Sequence, residues 1–213
     1  MVSTVGITET IKSLNDLEEK LNLRQTDNDR FFTEWYEGLP EISDSEKLAV
    51  DRIKQRHSYH RGYGPLLEGT INLLVVSPLL EAAGFLDPPF KIRSPESVAI
   101  AIEDPDRTII KGLIDVLVVQ DNLWVLVVES KRTSIPVPSA FPQILAYMMA
   151  NSHPDKPTFG MATNGDGFIF LKLTCEDRPQ YDVSREFSLF PRRHELYEVL
   201  RILKHLGEIV SPE

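Results

Sequence analysis

Asp115 interrupts one apolar run of the chain, Leu113–Val119, and Glu129 and Lys131 stand at the end of the next, Leu123–Val128. A charge among apolar strand residues is costly unless it is paired or bound to a metal. Two carboxylates and a backbone carbonyl form a hard-oxygen site of the kind that Mg²⁺ takes, with Mn²⁺ as a substitute. Such an ion polarises a phosphate and lowers the pKa of a water molecule. A lysine beside it can hold that water or offset charge as a phosphoryl centre is attacked. Asp115, Glu129 and Lys131 are therefore the candidate catalytic residues, and Asp115 and Glu129 the candidate metal ligands, for phosphodiester hydrolysis. The competing reading is a buried ion pair, although two acids and one lysine leave a charge over.

The two runs read as an antiparallel hairpin around Gln120, Asp121 and Asn122. A three-residue loop pairs Val119 with Leu123 and makes Glu129 the diagonal neighbour of Asp115 on one face, with Lys131 facing the same way. A two-residue loop at Asp121–Asn122 sends the two acids to opposite faces unless a bulge intervenes. By the same parity Ser130 points away from the site. Both faces of the hairpin are apolar, so the sheet should be covered on both sides.

Periodicity supplies the surrounding elements. Thr8–Asn22 carries Ile11, Leu14, Leu17 and Leu21 on one stripe of a helix. Phe31, Phe32, Trp35 and Tyr36 form an aromatic cluster suited to the core or a docking face. Ser43 and Glu46 form a capping box opening a helix to about Arg56. Pro65 starts a third helix, and Ser77-Pro78 re-caps it on its way to Gly84. Val98–Ile102 is a short strand. Ser139 caps a helix from Ala140 to Asn151, Thr158–Thr163 and Phe168–Leu173 flank a turn at Asn164–Gly167, and a last amphipathic helix runs from Arg192 to Leu206. The step from Glu129 to Thr158 is long enough for a parallel crossover. The expected fold is α/β with a mixed central sheet flanked by helices. Residues 1–62 are expected as an acidic helical extension packed on a core of residues 63–213.

Asp115 followed by Glu129-Ser130-Lys131 at the end of the next strand resembles the PD-(D/E)XK nuclease motif. The likeness extends to the N-terminal nuclease domain of type I restriction enzyme R subunits. That group has a Gln-x-x-x-Tyr motif on the following helix, matched here by Gln143 and Tyr147, and a strand ending in Thr-Asn-Gly, matched by Thr163-Asn164-Gly165. Glu68 with Leu79-Leu80-Glu81-Ala82-Ala83-Gly84-Phe85 is similar to its first core helix. The likeness covers about residues 64–173. It departs from the pattern at Ile114, where a proline would precede the acid, and no Walker A motif or helicase motor is present. The resemblance implies a restriction-endonuclease-like core, a further metal-ligand role for Glu68, and DNA-contacting or supporting roles for Gln143 and Tyr147. It implies an Mg²⁺-dependent endodeoxyribonuclease of restriction or defence type. The alternative is a non-cleaving DNA-binding or accessory subunit of a larger restriction complex.

Arg52 to Arg61 holds four Lys/Arg and two histidines with no acid after Asp51. Arg56 and Arg61 could therefore touch phosphates, as could Lys111 and Arg132 beside the strands, with Lys91 and Arg93 nearby. Equally, such cations favour the end of a helix dipole. His57 and His60 lack a third partner for zinc.

The chain has 213 residues, 42% of them hydrophobic, which supports a real core and excludes wholesale disorder. Cys175 stands alone, so no internal disulfide or thiolate zinc cage is possible, and the cytoplasm is the expected compartment. The start reads as no signal peptide, and Gly69–Leu80, the longest charge-free apolar stretch, is too short to span a bilayer. The net charge is −9, which argues against a basic, tail-driven nucleic-acid binder. Yet residues 1–51 carry 12 acids against 5 bases, while residues 52–213 carry 20 against 18. The acidity is thus concentrated at the N-terminal end, and DNA stays open as a partner. A homodimer or other restriction-system subunits are the further expected partners, since cutting two strands with one site calls for two copies. No membrane and no nucleotide cofactor are expected.

Overall fold

The computed structural model describes residues 4–101, 108–121, 123–153, 155–175, 178–190 and 195–210. Ile102, Asn122 and Arg192, which the sequence reading placed in a strand, a turn and a helix, lie outside these residues.

The chain is a mixed α/β structure, as expected. The main sheet contains β2 (Arg24–Gln25), β3 (Phe90–Arg93), β6 (Val116–Gln120), β7 (Leu123–Ser130), β8 (Thr158–Thr163), β9 (Gly167–Thr174) and β10 (Gln180–Val183), with β11 (Phe187–Ser188) paired to β9. Its order is β2-β10-β9-β8-β7-β6-β3. The β7–β8 and β2–β10 pairs are parallel and the others antiparallel. A smaller sheet holds β1 (Thr4–Gly6), β5 (Ile109–Ile114) and β4 (Glu96–Ala101), in the order β1-β5-β4.

Two apolar layers cover the main sheet, because its strand residues alternate between them. Val116, Val118, Leu126, Val128, Phe159, Met161, Phe168 and Phe170 pack with helices α3 (Asp44–Arg61), α5 (Ser77–Ala82) and α7 (Glu195–Val210). Leu117, Val119, Val127, Ala162, Ile169 and Leu171 face the other way, onto α1 (Ile7–Thr10), α2 (Leu14–Leu21) and α6 (Phe141–Met149). This is the double coverage that apolar residues on both strand faces require.

Several local expectations change. The run Leu113–Val119 is two strands, since the chain leaves the small sheet after Ile114, bends at Asp115 and enters the main sheet at Val116. The hairpin turn has two residues, with Gln120 opposite Leu123 and Asp121 in the left-handed region. A bulge restores the parity: Val119 pairs with Trp124 but Val118 with Leu126, and Val125 and Leu126 both face the α3 layer. Asp115 stands just before this ladder, whose first pair is Val116 with Val128, so it lies beside Glu129 without being paired to it.

The first predicted helix is two, α1 and α2, because Ser13 and Asp16 form a capping box between them. Ser43 and Glu46 cap α3 as expected, but the helix continues to Arg61. The third helix starts at Glu68, after an extended Leu67, as α4 (Glu68–Ile71). It passes without a new cap through a π-helical turn, Asn72–Val76, into α5. Ser139 does not cap α6; its hydroxyl donates to the Pro136 carbonyl within a 3₁₀ turn, Val137–Ala140.

The first 62 residues contribute strands as well as helices. β1 adds to β5 and β2 to β10, while Ile7, Leu17, Leu23 and Phe32 are buried in the two layers. Glu34, Glu41 and Glu46 pair with Lys172, Arg201 and Lys204 of the later chain, which answers part of the N-terminal acidity within the fold. Among the described residues, no helix is long and apolar enough to cross a membrane.

Candidate active site

The bend at Asp115, just before β6, and the carboxyl end of β7 meet at one end of the interior strands of the main sheet. Parallel pairing with β8 sets Glu129 beside Ala162, and the Lys131 amide donates to the Thr163 carbonyl at 2.8 Å, which carries the strand past its end. Asp115 Oδ2 accepts two bonds from Ser130, one from the amide at 2.8 Å and one from the hydroxyl at 2.7 Å. Ser130 is therefore part of the cluster, contrary to its strand parity. Asp115 sits at a bend rather than in a ladder, so its carboxylate reaches around the edge of β7.

Glu129 is 2% exposed. Its Oε1 accepts from the Lys131 ammonium at 2.6 Å, and its Oε2 is buried without a hydrogen-bond partner. Burial pushes its pKa up to about 7, aided by the Asp115 charge and to a smaller extent by Glu68, and opposed by Lys131. A carboxylate in this state lacks a positive counterpart on its open oxygen, which a proton or a cation can supply.

Lys131 also donates to Gln143 Oε1 at 2.7 Å, and Gln143 Nε2 donates to the Tyr147 hydroxyl oxygen at 2.7 Å. The two motif residues lie one turn apart on α6, so one reaches the other. Tyr147 is pushed up to about 12, chiefly by burial. Its ring lies over Gly112, where a Cβ would come within 2.6 Å of Cε1 and 3.0 Å of the Ile7 side chain. The result is one chain of contacts from Glu129 through Lys131 and Gln143 to Tyr147. Gln143 and Tyr147 also line a 470 Å³ groove with Thr8, Ser97 and Lys111.

The structure brings Asp115, Glu129, Lys131, Gln143 and Tyr147 together, and adds Ser130. Glu68, at the first turn of α4, is exposed and reaches the group only through its charge on Glu129. Among the described residues, no three His, Cys, Asp or Glu side chains converge as a metal cage. The donor set is instead two carboxylates, of which Glu129 offers the open buried oxygen. That fits a single hard cation completed by backbone carbonyls and water.

Lys111, Arg132 and Arg56 are exposed, and Arg93 is paired to Glu96. Arg61 is engaged: its Nε lies 3.2 Å from Asp166 Oδ2, while the fully buried His57 places Nε2 3.0 Å from Oδ1 of the same residue. His57 thus ties α3 to the turn after β8, and burial lowers its pKa against the opposing pull of Asp166. That turn is shaped by Asn164, whose Oδ1 accepts from the Asp166 and Gly167 amides, and by Gly165 at φ +82°. Thr163-Asn164-Gly165 is accordingly a structural turn beside the cluster. Cys175 is half-buried and burial pushes its thiol up, which disfavours the thiolate.

No family model matches the chain, and no curated protein matches it. Among solved structures, one described as the fragment of an HsdR subunit of a type I restriction enzyme from Vibrio vulnificus YJ016 is similar, with 18% identity and a TM-score of 0.41. The likeness covers 67% of this chain and 26% of that one, so the chain spans about a quarter of that structure's length.

Proposed function

We propose that this chain is a Mg²⁺-dependent DNA endonuclease with a PD-(D/E)XK-type site and a restriction-endonuclease-like fold, working in a restriction or defence system. The observation that supports this most is Glu129: buried, close enough to Asp115 to feel its charge, held by Lys131, and carrying one oxygen without a partner. Asp115 and Glu129 would hold the cation, with Glu68 near enough to add charge. A bound Mg²⁺ or Mn²⁺ supplies Lewis acidity toward a phosphate oxygen and a water.

The chain's own residues do the rest. Ser130 fixes Asp115 through two bonds, so the carboxylate needs no reorganisation during turnover. Lys131 Nζ, at 2.6 Å from Glu129, stands where it can orient a water and offset charge on the attacked phosphate. Gln143 accepts from the ammonium and is itself held by the Tyr147 hydroxyl. Lys111, Arg132 and Arg56 offer exposed cations for backbone phosphates.

The test is nicking or linearisation of plasmid DNA in Mg²⁺ or Mn²⁺, compared with Asp115→Ala and Lys131→Ala. A wild type that cuts no better than these variants would sink the assignment. A second reading, a non-cleaving DNA-binding or accessory subunit of a restriction complex, keeps the exposed cations Lys111, Arg132 and Arg56 without using the acidic pair. It expects DNA binding without cleavage and recovery with larger subunits.

A further inference from the structure

The cluster does not use the most exposed aromatic residues of the chain. Tyr63 is 81% and Tyr59 63% exposed, both at the C-terminal end of α3. Their rings lie 5.3 Å apart, edge to face, and the His60 ring meets Tyr59 edge-on at 5.1 Å. Leu67, a few residues on, is exposed as well. Exposed aromatics grouped this way are unusual on a surface without a ligand.

Two ties join this group to segments that flank the site. His57 and Arg61 grip Asp166 in the turn after β8. The Leu66 amide donates to Thr133 Oγ1 at 2.9 Å, and the Thr133 amide donates back to the Leu66 carbonyl at 3.1 Å. Tyr63 is three residues from that tie and Lys131 two, so they lie within about 25 Å even along the chain path. Charge sets the class of occupant. Arg52, Lys54 and Arg56 lie on the same helix, Arg61 being engaged by Asp166, and no acid occurs in the sequence between Asp51 and Glu68. A surface of cations and open aromatic faces matches a strand with both phosphates and exposed bases.

We propose that Tyr59, His60 and Tyr63, with Arg56 beside them, form a stacking platform for unpaired bases of a DNA strand that continues to the Asp115–Glu129 site. The substrate class is then DNA with a single-stranded segment, such as a flap, gap or unwound end. This rests on the nuclease reading for its biological sense, but binding is measured apart from cleavage.

The experiment is fluorescence anisotropy of a labelled oligothymidylate and of a blunt duplex, with EDTA present so that no cutting occurs. Tyr59→Ala and Tyr63→Ala should each weaken oligothymidylate binding about tenfold while sparing the blunt duplex. Tyr63→Trp should restore it. Absence of wild-type oligothymidylate binding, or unchanged binding in the double alanine variant, overturns the platform. So does a loss of self-association in sedimentation with oligothymidylate binding intact, which would make the face a protein contact. Tyrosine-dependent binding by a wild type that never cuts in Mg²⁺ or Mn²⁺ keeps the platform and removes the nuclease. Cutting with no tyrosine dependence does the reverse.

Discussion

Ser130 donates twice to one oxygen of Asp115, from its amide at 2.8 Å and its hydroxyl at 2.7 Å. The serine lies between the two residues, Glu129 and Lys131, whose chemistry drew notice, and it holds the third. Ser130→Ala removes the hydroxyl bond and keeps the amide bond. A hydrogen bond to a charged group contributes about 1.5–3 kcal/mol. The variant should lose about that much stability in urea and bind Mn²⁺ more weakly by isothermal titration. Unchanged Mn²⁺ affinity would remove Ser130 from the site.

Glu129 gives a pH signature. Its folded pKa, about 7, lies above the ordinary 4.5, so between these values the native chain holds more protons than the unfolded one. The sign follows: the stability linked to this group is full below about pH 4.5 and is lost as pH rises through 7. His57, lowered by burial, contributes in the opposite sense, with stability present above its ordinary 6.5 and lost on acidification. Comparing the wild type with Glu129→Gln cancels the histidine. The difference in urea midpoint between the two should widen from pH 5 to pH 8. A constant difference would show that Glu129 does not titrate in this range.

Cation binding should oppose that loss. Mn²⁺ or Mg²⁺ needs the ionised carboxylate, so the thermal midpoint should rise with added metal at pH 8 and rise less at pH 5. Glu129→Gln should abolish the shift and Glu68→Gln should reduce it. Equal shifts in all three proteins would place the ion elsewhere.

Gly112 leaves room for the Tyr147 ring, and a Cβ there would stand 2.6 Å from Cε1. Gly112→Ala should push the ring away and cost about 1–3 kcal/mol of stability. It should also loosen the Gln143–Lys131 contacts, so any cleavage rate should fall by more than DNA affinity does. Full activity in this variant would show that the Tyr147–Gln143–Lys131 chain is not needed for chemistry.

Deleting residues 1–40 removes Ile7, Leu17, Leu23 and Phe32 from the core and strips two strands from the sheets. The shortened chain should lack a cooperative thermal transition. A well-folded product would show that the N-terminal segment is separable after all.

The sequence disclosed the cluster because Asp115, Glu129 and Lys131 are charges where strand residues should be apolar. It also disclosed the double coverage of the sheet and the parallel β7–β8 step. The sequence leaves open a three-residue loop or a two-residue loop with a bulge, and the hairpin has the two-residue loop and the bulge. Nothing in a run as uniform as Trp124-Val125-Leu126 marks where a bulge falls. Ser130 was missed because parity rules hold within a ladder, and Asp115 stands at a bend outside one. The short strands β3, β10 and β11 have two to four residues and mixed polarity, so their pairing partners rather than their own pattern create them. Basic residues at the end of α3 were legible as charge, but that Arg61 is bound to Asp166 depends on contacts across 105 residues.

The parallel pairing of β2 with β10 brings together Gln25 and Asp182, 157 residues apart, and β1 is joined to β5 over a span of about a hundred. Such separations set the order of events on a ribosome. Arg24 and Gln25 emerge more than 150 residues before their partners exist, while Glu129 and Lys131 appear before the β9–β10 side of the sheet that completes their layer. Long-range pairing of this kind folds slowly compared with helical proteins of similar size. The early segments therefore spend synthesis exposed, and a chain stalled before Gln180 would carry every candidate site residue without the finished sheet that holds them.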